Sequence, residues 1–217
     1  MSEATAVTKS DRFPAGIPFI VGNEGAERFS YYGMRAILYT YLAALYVQFV
    51  AESQLAAGQA DAAKAKSTAV AHLFMAGVYA FPMIGAIAAD RVFGKFPVIM
   101  WVSLVYCLGH GVLAVAGRLA EWGNFGGAEL GMYIGLGLIA AGSGGIKPCV
   151  SANVGDQFDA STSHLVAKVF QIFYFIINFG SFFATILTPI LYHRYGAEVA
   201  FGVPGIFMGL ATVVFYL

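Results

Sequence analysis

Four charged residues in one short stretch carry the chemistry this sequence could do. Glu24, Glu27, Arg28 and Arg35 lie in GNEGAERFSYYGMRAILY, residues 22–39. A carboxylate in an apolar setting beside an arginine feels two opposing influences, desolvation and a neighbouring cation, and is a candidate for taking up and releasing a proton. Arginine also offers a planar fork that matches a carboxylate. Elsewhere, Lys147 is a second cation within an apolar run, Asn178 offers a carbonyl and an amide, and His72 titrates near neutral pH when unperturbed. Together these groups could hold a small zwitterion by both ends and move a proton beside it.

Positioning such groups requires a helix with two unlike faces. At about 100° per residue, measured from Glu24, Glu27 falls near −60°, Tyr31 near −20°, Arg35 near +20°, Arg28 near +40°, Tyr39 near +60° and Tyr32 near +80°. Ala26, Phe29, Met34, Ile37 and Leu38 lie mostly on the other side. The alternative is a soluble amphipathic helix with surface ion pairs. Composition argues against it. The chain is 59% hydrophobic and 11% charged, with mean hydropathy +0.73, against roughly 25% charged residues in a soluble domain. A charge at bilayer depth costs about 3 kcal/mol, so four of them predict a protein interior or a watery cavity.

Composition also excludes other classes. Net charge is zero, which gives no electrostatic grip on nucleic acid. No HExxH, no Gly-x-Ser-x-Gly and no metal-spaced His/carboxylate cluster is found, so an enzyme is not expected and protons are the only coupling ion or cofactor implied. Cys107 and Cys149 sit in apolar runs and read as small hydrophobes.

Taken in order, residues 1–16 read as a disordered cytoplasmic tail ending in a Pro14/Gly16 turn. Residues 17–217 then read as one all-α bundle of six membrane crossings: about 18–50, 67–90, 96–117, 128–152, 165–191 and 200–217. Residues 51–66 are a loop or helical extension, 118–127 a loop, and a further loop carries His193, Arg194 and Glu198. Pro82 is expected to kink the second span. His72 and Tyr79, seven residues apart, share a face of that span, as do Gln171, Tyr174, Asn178 and Ser181 of the fifth. Lys9, Arg12, Arg91, Lys95 and Lys168 on one side against Lys64, Lys66, Arg118 and Arg194 on the other are too evenly matched to set the orientation. The chain stops within an apolar run, which predicts a longer protein with a second helical bundle as partner.

The turn Gly85-Ala-Ile-Ala-Ala-Asp90-Arg91-Val-Phe-Gly94-Lys95 resembles the loop signature between the second and third helices of the major facilitator superfamily. The motif Glu24-x-x-Glu27-Arg28-Phe29-x-Tyr31-Tyr32-Gly33-Met34-Arg35 is more specific and resembles the signature of the proton-coupled oligopeptide transporter family. Gly144-Gly-Ile-Lys147-Pro148 with Gly155-Asp156-Gln157-Phe158, and Phe173-Tyr174-Phe-Ile-Ile-Asn178-Phe-Gly180-Ser181, agree with it.

The resemblance implies the N-terminal six-helix bundle of a symporter that moves di- and tripeptides with protons by alternating access. A transporter of nitrate or another small organic anion is the alternative, since Arg35 and Lys147 suit either cargo. Glu24, Glu27 and Arg28 are expected to couple the proton, with protonation freeing Arg28 or Lys147 from an ion pair. His72 is a candidate relay, or a hydrogen-bonding partner between helices. Arg35, Lys147 and Asn178 would hold the two ends of a peptide, and Tyr32, Tyr39, Tyr79 and Tyr174 would line the cavity. Asp90, Arg91 and Lys95 are expected to latch a cytoplasmic helix end, or else to anchor it at the headgroups. No cleavable signal is evident, and with compact loops this predicts a multi-pass protein of the bacterial inner membrane with its N-terminus in the cytoplasm.

Overall fold

The computed structural model describes residues 10–52 and 59–216. Every regular element among them is helical: α1 (Ile17–Glu52), α2 (Gln59–Ala88), α3 (Lys95–Glu121), α4 (Phe125–Asp156) and α5 (Val166–Tyr216). A π turn over Ala89–Phe93 closes α2, and a 3₁₀ turn over Ser163–Leu165 opens α5. Four segments are long and apolar enough to cross a membrane: Asp61–Phe93, Lys95–Glu121, Phe125–Asp156 and Ser163–Tyr216. At 36 residues α1 is also long enough, but it is less apolar than the others.

Glycine sets how closely these helices approach, as it does where packing rather than water exclusion holds helices together. A methyl group added at Gly180 of α5 would lie 2.8 Å from the carbonyl oxygen of Gly25 in α1. One added at Gly85 of α2 would lie 2.6 Å from Cα of Gly145 in α4. Gly109 of α3 and Gly135 of α4 abut reciprocally, each 3.0 Å from the other's carbonyl oxygen on the same test. The principal pairings are α1 with α5 and α3 with α4. The apolar back of α1 is buried within them: Met34, Ile37, Leu38 and Leu42 are nearly inaccessible.

Several sequence expectations need correction. The loop expected around His193–Glu198 is helix on both sides of a single break, Gly196, with φ 84° and ψ 179°. The change of direction is made by one residue that lacks a Cβ, so no longer connector is needed. Helix α3 extends to Glu121 and α4 begins at Phe125, which shortens the expected 118–127 loop. Residues 59–66 are the first turns of α2; the rest of the expected 51–66 connector lies partly outside the described residues. The tail reading for 1–9 also lies outside them. Residues 10–16 are not a free tail: the Ser10 amide donates to the Ser161 carbonyl at 3.1 Å, and Phe13 lies 5.7 Å from Nζ of Lys168. The Pro14/Gly16 turn is present, closed by the Ile17 amide on the Pro14 carbonyl. Helix α2 continues through Pro82.

Candidate functional site

The first turns of α1 are built around a buried charge cluster. Glu24 and Glu27 are essentially inaccessible. Arg28 lies between them, its Nε 2.6 Å from Oε1 of Glu24 and 3.2 Å from Oε2 of Glu27. The near contact joins residues four apart, which share a helix face. From α4, the Ser143 hydroxyl donates to Oε1 of Glu27 at 2.7 Å. One cation thus serves two carboxylates, with one neutral donor on Glu27, while Oε2 of Glu24 and Oε2 of Glu27 are buried and accept no hydrogen bond among the described residues. Pairing with Arg28 offsets part of the cost of burying these charges.

Lys147 lies four residues beyond Ser143 on α4 and approaches the same region. It forms no salt bridge among the described residues. Its Nζ sits 4.5 Å above the ring of Tyr31, a cation–π contact. Glu27, Glu24, Arg28 and Arg35 all lie within electrostatic reach of it. Tyr31 is the junction: its hydroxyl points to Sδ of Met75 on α2 at 3.4 Å, and its ring stands edge-on to Tyr32 at 5.2 Å. The ion-pair partner of the carboxylates is therefore Arg28, one of the two cations expected there, while Lys147 rests on a tyrosine face.

Further along α1, Arg35 and Tyr39 are exposed. Tyr32 shares an open concavity of about 690 Å³ with Asn178, Ser181 and Thr185 of α5. The Asn178 amide donates to the Tyr174 carbonyl at 2.7 Å, within its own helix. Its side-chain carbonyl therefore remains the group on offer. Tyr79 and Tyr174 are largely exposed and His72 is exposed; no hydrogen bond or ion pair ties His72 to the cluster among the described residues. The structure thus joins Glu24, Glu27, Arg28 and Lys147 on the inner side of α1 and Tyr32 with Asn178 on an open face. Tyr174 meets Asn178 through its main-chain carbonyl, Tyr79 lies within electrostatic reach of Tyr31, and Tyr39 and His72 stand apart from both groups.

At the other sequence motif, Lys95 pairs with Asp156, Nζ to Oδ2 at 2.5 Å, linking the start of α3 to the end of α4. Asp90 and Arg91 are exposed on the π turn and form no ion pair among the described residues. The pair at this helix end is thus Lys95–Asp156, sixty-one residues apart.

Sequence reasoning missed Ser143 and Tyr106, and placed Asp156 in a motif without its partner Lys95. The signal for Ser143 was its spacing, one helical turn before Lys147. Tyr106 of α3 is fully buried, and its side chain comes within electrostatic reach of Glu27 and Arg28. It passes α4 at Gly142, where an added methyl group would meet the Tyr106 Cβ at 2.7 Å. The tyrosine's role depends on a glycine of another helix, which no local pattern displays.

The chain is similar to known proteins over most of its length. A family model described as PTR2, POT family, matches residues 96–217. The chain is 43% identical over 209 residues to solute carrier family 15 member 2 of Danio rerio, covering 94% of this chain and 27% of that relative. It is 38% identical over 224 residues to peptide transporter 3 of Caenorhabditis elegans, covering 100% of this chain and 30% of the relative. The crystal structure of a proton dependent oligopeptide (POT) family transporter superposes with TM-score 0.77 at 47% identity, covering 92% of this chain and 40% of that one. The chain therefore spans less than a third of the length of these two curated relatives, both animal proteins. Its apolar helices and transporter relatives mark a multi-pass membrane protein. The family match, the sequence identities and the shared helical fold agree that this chain belongs to the POT family of proton-dependent oligopeptide transporters.

Proposed function

We propose that this chain forms one six-crossing bundle of a secondary transporter that carries di- and tripeptides together with protons by alternating access. The carrying observation is the buried Glu24–Arg28–Glu27 cluster, capped by Ser143 and flanked by Lys147. Protonating either carboxylate removes one of two negative charges from a single arginine, and at Glu27 it acts on the group that the Ser143 hydroxyl ties to α4. The six crossings are counted as α1, α2, α3, α4 and the two arms of α5 on either side of Gly196.

Arg35 and Lys147 are assigned to the peptide carboxylate, and the Asn178 carbonyl to its ammonium end. Tyr32 lines the same concavity as Asn178; Tyr39, Tyr79 and Tyr174 would complete the wall against a second bundle. The Lys95–Asp156 pair, with Asp90 and Arg91 beside it, would serve as the latch at one helix end. The relatives' names speak of peptides and give the nitrate alternative no support. A cytoplasmic N-terminus follows the family expectation, and a bacterial inner membrane is read from the compact loops together with the lack of an evident cleavable signal.

The test is dialanine uptake into proteoliposomes holding the full-length protein, with and without an inward proton gradient, for the parent and for Glu27→Gln. Gradient-driven uptake that vanishes in the variant while dipeptide exchange survives supports both substrate and coupling site. Absence of dialanine uptake in the parent under every gradient overturns the reading.

A further inference from the structure

A second cavity lies roughly 20–30 Å along α1 from the Glu24–Arg28 cluster, at ~1.5 Å per residue. It measures about 690 Å³, and its lining includes Thr40, Tyr41 and Gln48 of α1, Glu121 of α3, and Tyr192 and Gly196 of α5. That size is within the range of small-molecule sites. Nothing in the transport reading uses it.

Three observations define its chemistry. First, the charge beside the lining Glu121 is unbalanced: Nη1 of Arg118 lies 3.1 Å from Oε2 of Glu121 and 3.4 Å from Oε2 of Glu198, one cation against two carboxylates, with His193 the other imidazole or carboxylate group in the lining. Second, the other oxygen of Glu121 accepts no hydrogen bond among the described residues. It rests against the break in α5, where a Cβ on Gly196 would lie 2.5 Å from it. Glycine at that break therefore provides the backbone conformation and also makes room for the carboxylate. Third, Tyr41 is 5% exposed, and its buried hydroxyl has no hydrogen-bond partner. A buried hydroxyl left unpaired in a native interior calls for an explanation. The ring of Tyr192 stands edge-on to that of Tyr41 at 6.2 Å.

We propose that this cavity binds a small organic ammonium ion with an apolar body. An ammonium group has three donors and no acceptor. One would go to the free Glu121 oxygen and one to the Tyr41 hydroxyl, with the Gln48 side-chain carbonyl available to a third. The tyrosine rings supply the apolar wall that a cation's attached body requires. An anion would meet net negative charge. A metal ion would need more ligands: no group of three or more His, Cys, Asp or Glu side chains suited to one occurs among the described residues.

The test is isothermal titration of the full-length protein in nanodiscs with phenethylammonium chloride, against empty nanodiscs, with phenethyl alcohol as the uncharged control. Saturable one-site binding is expected for the cation and none for the alcohol. Glu121→Gln should weaken it at least tenfold and Tyr41→Phe, which keeps the ring and its packing, about threefold. Equal binding of the alcohol, parent-like affinity in both variants, or displacement by excess dialanine overturns the proposal. The titration does not depend on transport, so failure of dialanine uptake and failure of this site are separate results.

Discussion

The hydroxyl of Ser143 on α4 donates a 2.7 Å hydrogen bond to Oε1 of Glu27 on α1. It is the only hydrogen-bond donor to that oxygen among the described residues, and both residues are buried. Ser143→Ala should leave a buried carboxylate oxygen without its partner, at a cost of about 1–3 kcal/mol. A lowered unfolding temperature in detergent, with proton-driven uptake reduced more than dipeptide exchange, is the expected result. Unchanged values for both would show that Glu27 does not depend on this contact.

Arg28 reaches Glu24 and Glu27 through one nitrogen, Nε. Arg28→Lys keeps the charge but replaces a rigid planar group with a flexible ammonium. Gradient-driven uptake should fall at least tenfold. Arg28→Ala leaves two buried carboxylates without their cation and should cost about 3–5 kcal/mol, readable as loss of monodisperse protein on size exclusion.

Close approach of α1 and α5 depends on Gly180, whose added methyl would lie 2.8 Å from the Gly25 carbonyl oxygen. Gly180→Ala should cost about 1–3 kcal/mol through overpacking. Gly111→Ala makes the control, because an added methyl there meets nothing within 4 Å. Removing a helical glycine at such a site should be neutral or stabilising by up to ~1 kcal/mol. Thermal unfolding of the two variants side by side checks the contrast.

Lys95 and Asp156 are partly exposed, so their pair should contribute at most ~1 kcal/mol to stability. If the pair acts as a latch, Lys95→Ala should alter maximal transport rate with little change in half-saturating dipeptide concentration. The swapped double variant, Lys95→Asp with Asp156→Lys, should restore it. Altered half-saturation with a normal maximal rate would contradict a latch.

The connector between α4 and α5 holds a carboxylate that water can reach. Asp159 accepts hydrogen bonds from the Ser161 and Thr162 hydroxyls and from both their amides, at 2.7–3.0 Å. Led by the Ser161 side chain, these donors favour the charged form and hold the Asp159 carboxyl below its ordinary value of 3.8. The sign follows: a depressed folded-state pKa stabilises the turn at pH above the unfolded value and loses that contribution as acid protonates the group. Protection of the Ser161 and Thr162 amides from hydrogen exchange should be constant from pH 7 to about 5. It should fall only below the ordinary carboxylate range, and Asp159→Asn should reduce it at every pH.

Much of this arrangement was legible before the fold. Helical spacing put Glu24, Glu27 and Arg28 on one face of α1, and they form one cluster. The same spacing could not divide that face: Glu24 and Glu27 are buried, whereas Arg35 and Tyr39, farther along the same stripe, are exposed. What covers each turn depends on where α4 and α5 cross α1, and periodicity within one helix carries no such information. Lys95 was identified as a helix-end charge, but its partner Asp156 is sixty-one residues away, beyond the reach of local spacing. His110 had no visible partner in sequence. Its Nδ1 lies 3.0 Å from the Phe201 carbonyl oxygen in the second arm of α5, and Gly205 leaves it room. Distant pairings of this kind follow from packing, which the order of residues specifies only through the finished bundle.

Where Gly85 faces Gly145, and where Gly109 faces Gly135, main chain rests on main chain. Helices that mesh through large side chains must lift each knob out of its socket to move, and every lifted knob has a rotamer to find again. At Gly85 no side chain stands between the two main chains, so α2 meets α4 there with no rotamer to re-sort; at Gly109 and Gly135 the main chains touch between Ile139 and Leu113, whose side chains lie 2.8 and 2.6 Å from the added-methyl positions and key α3 to α4.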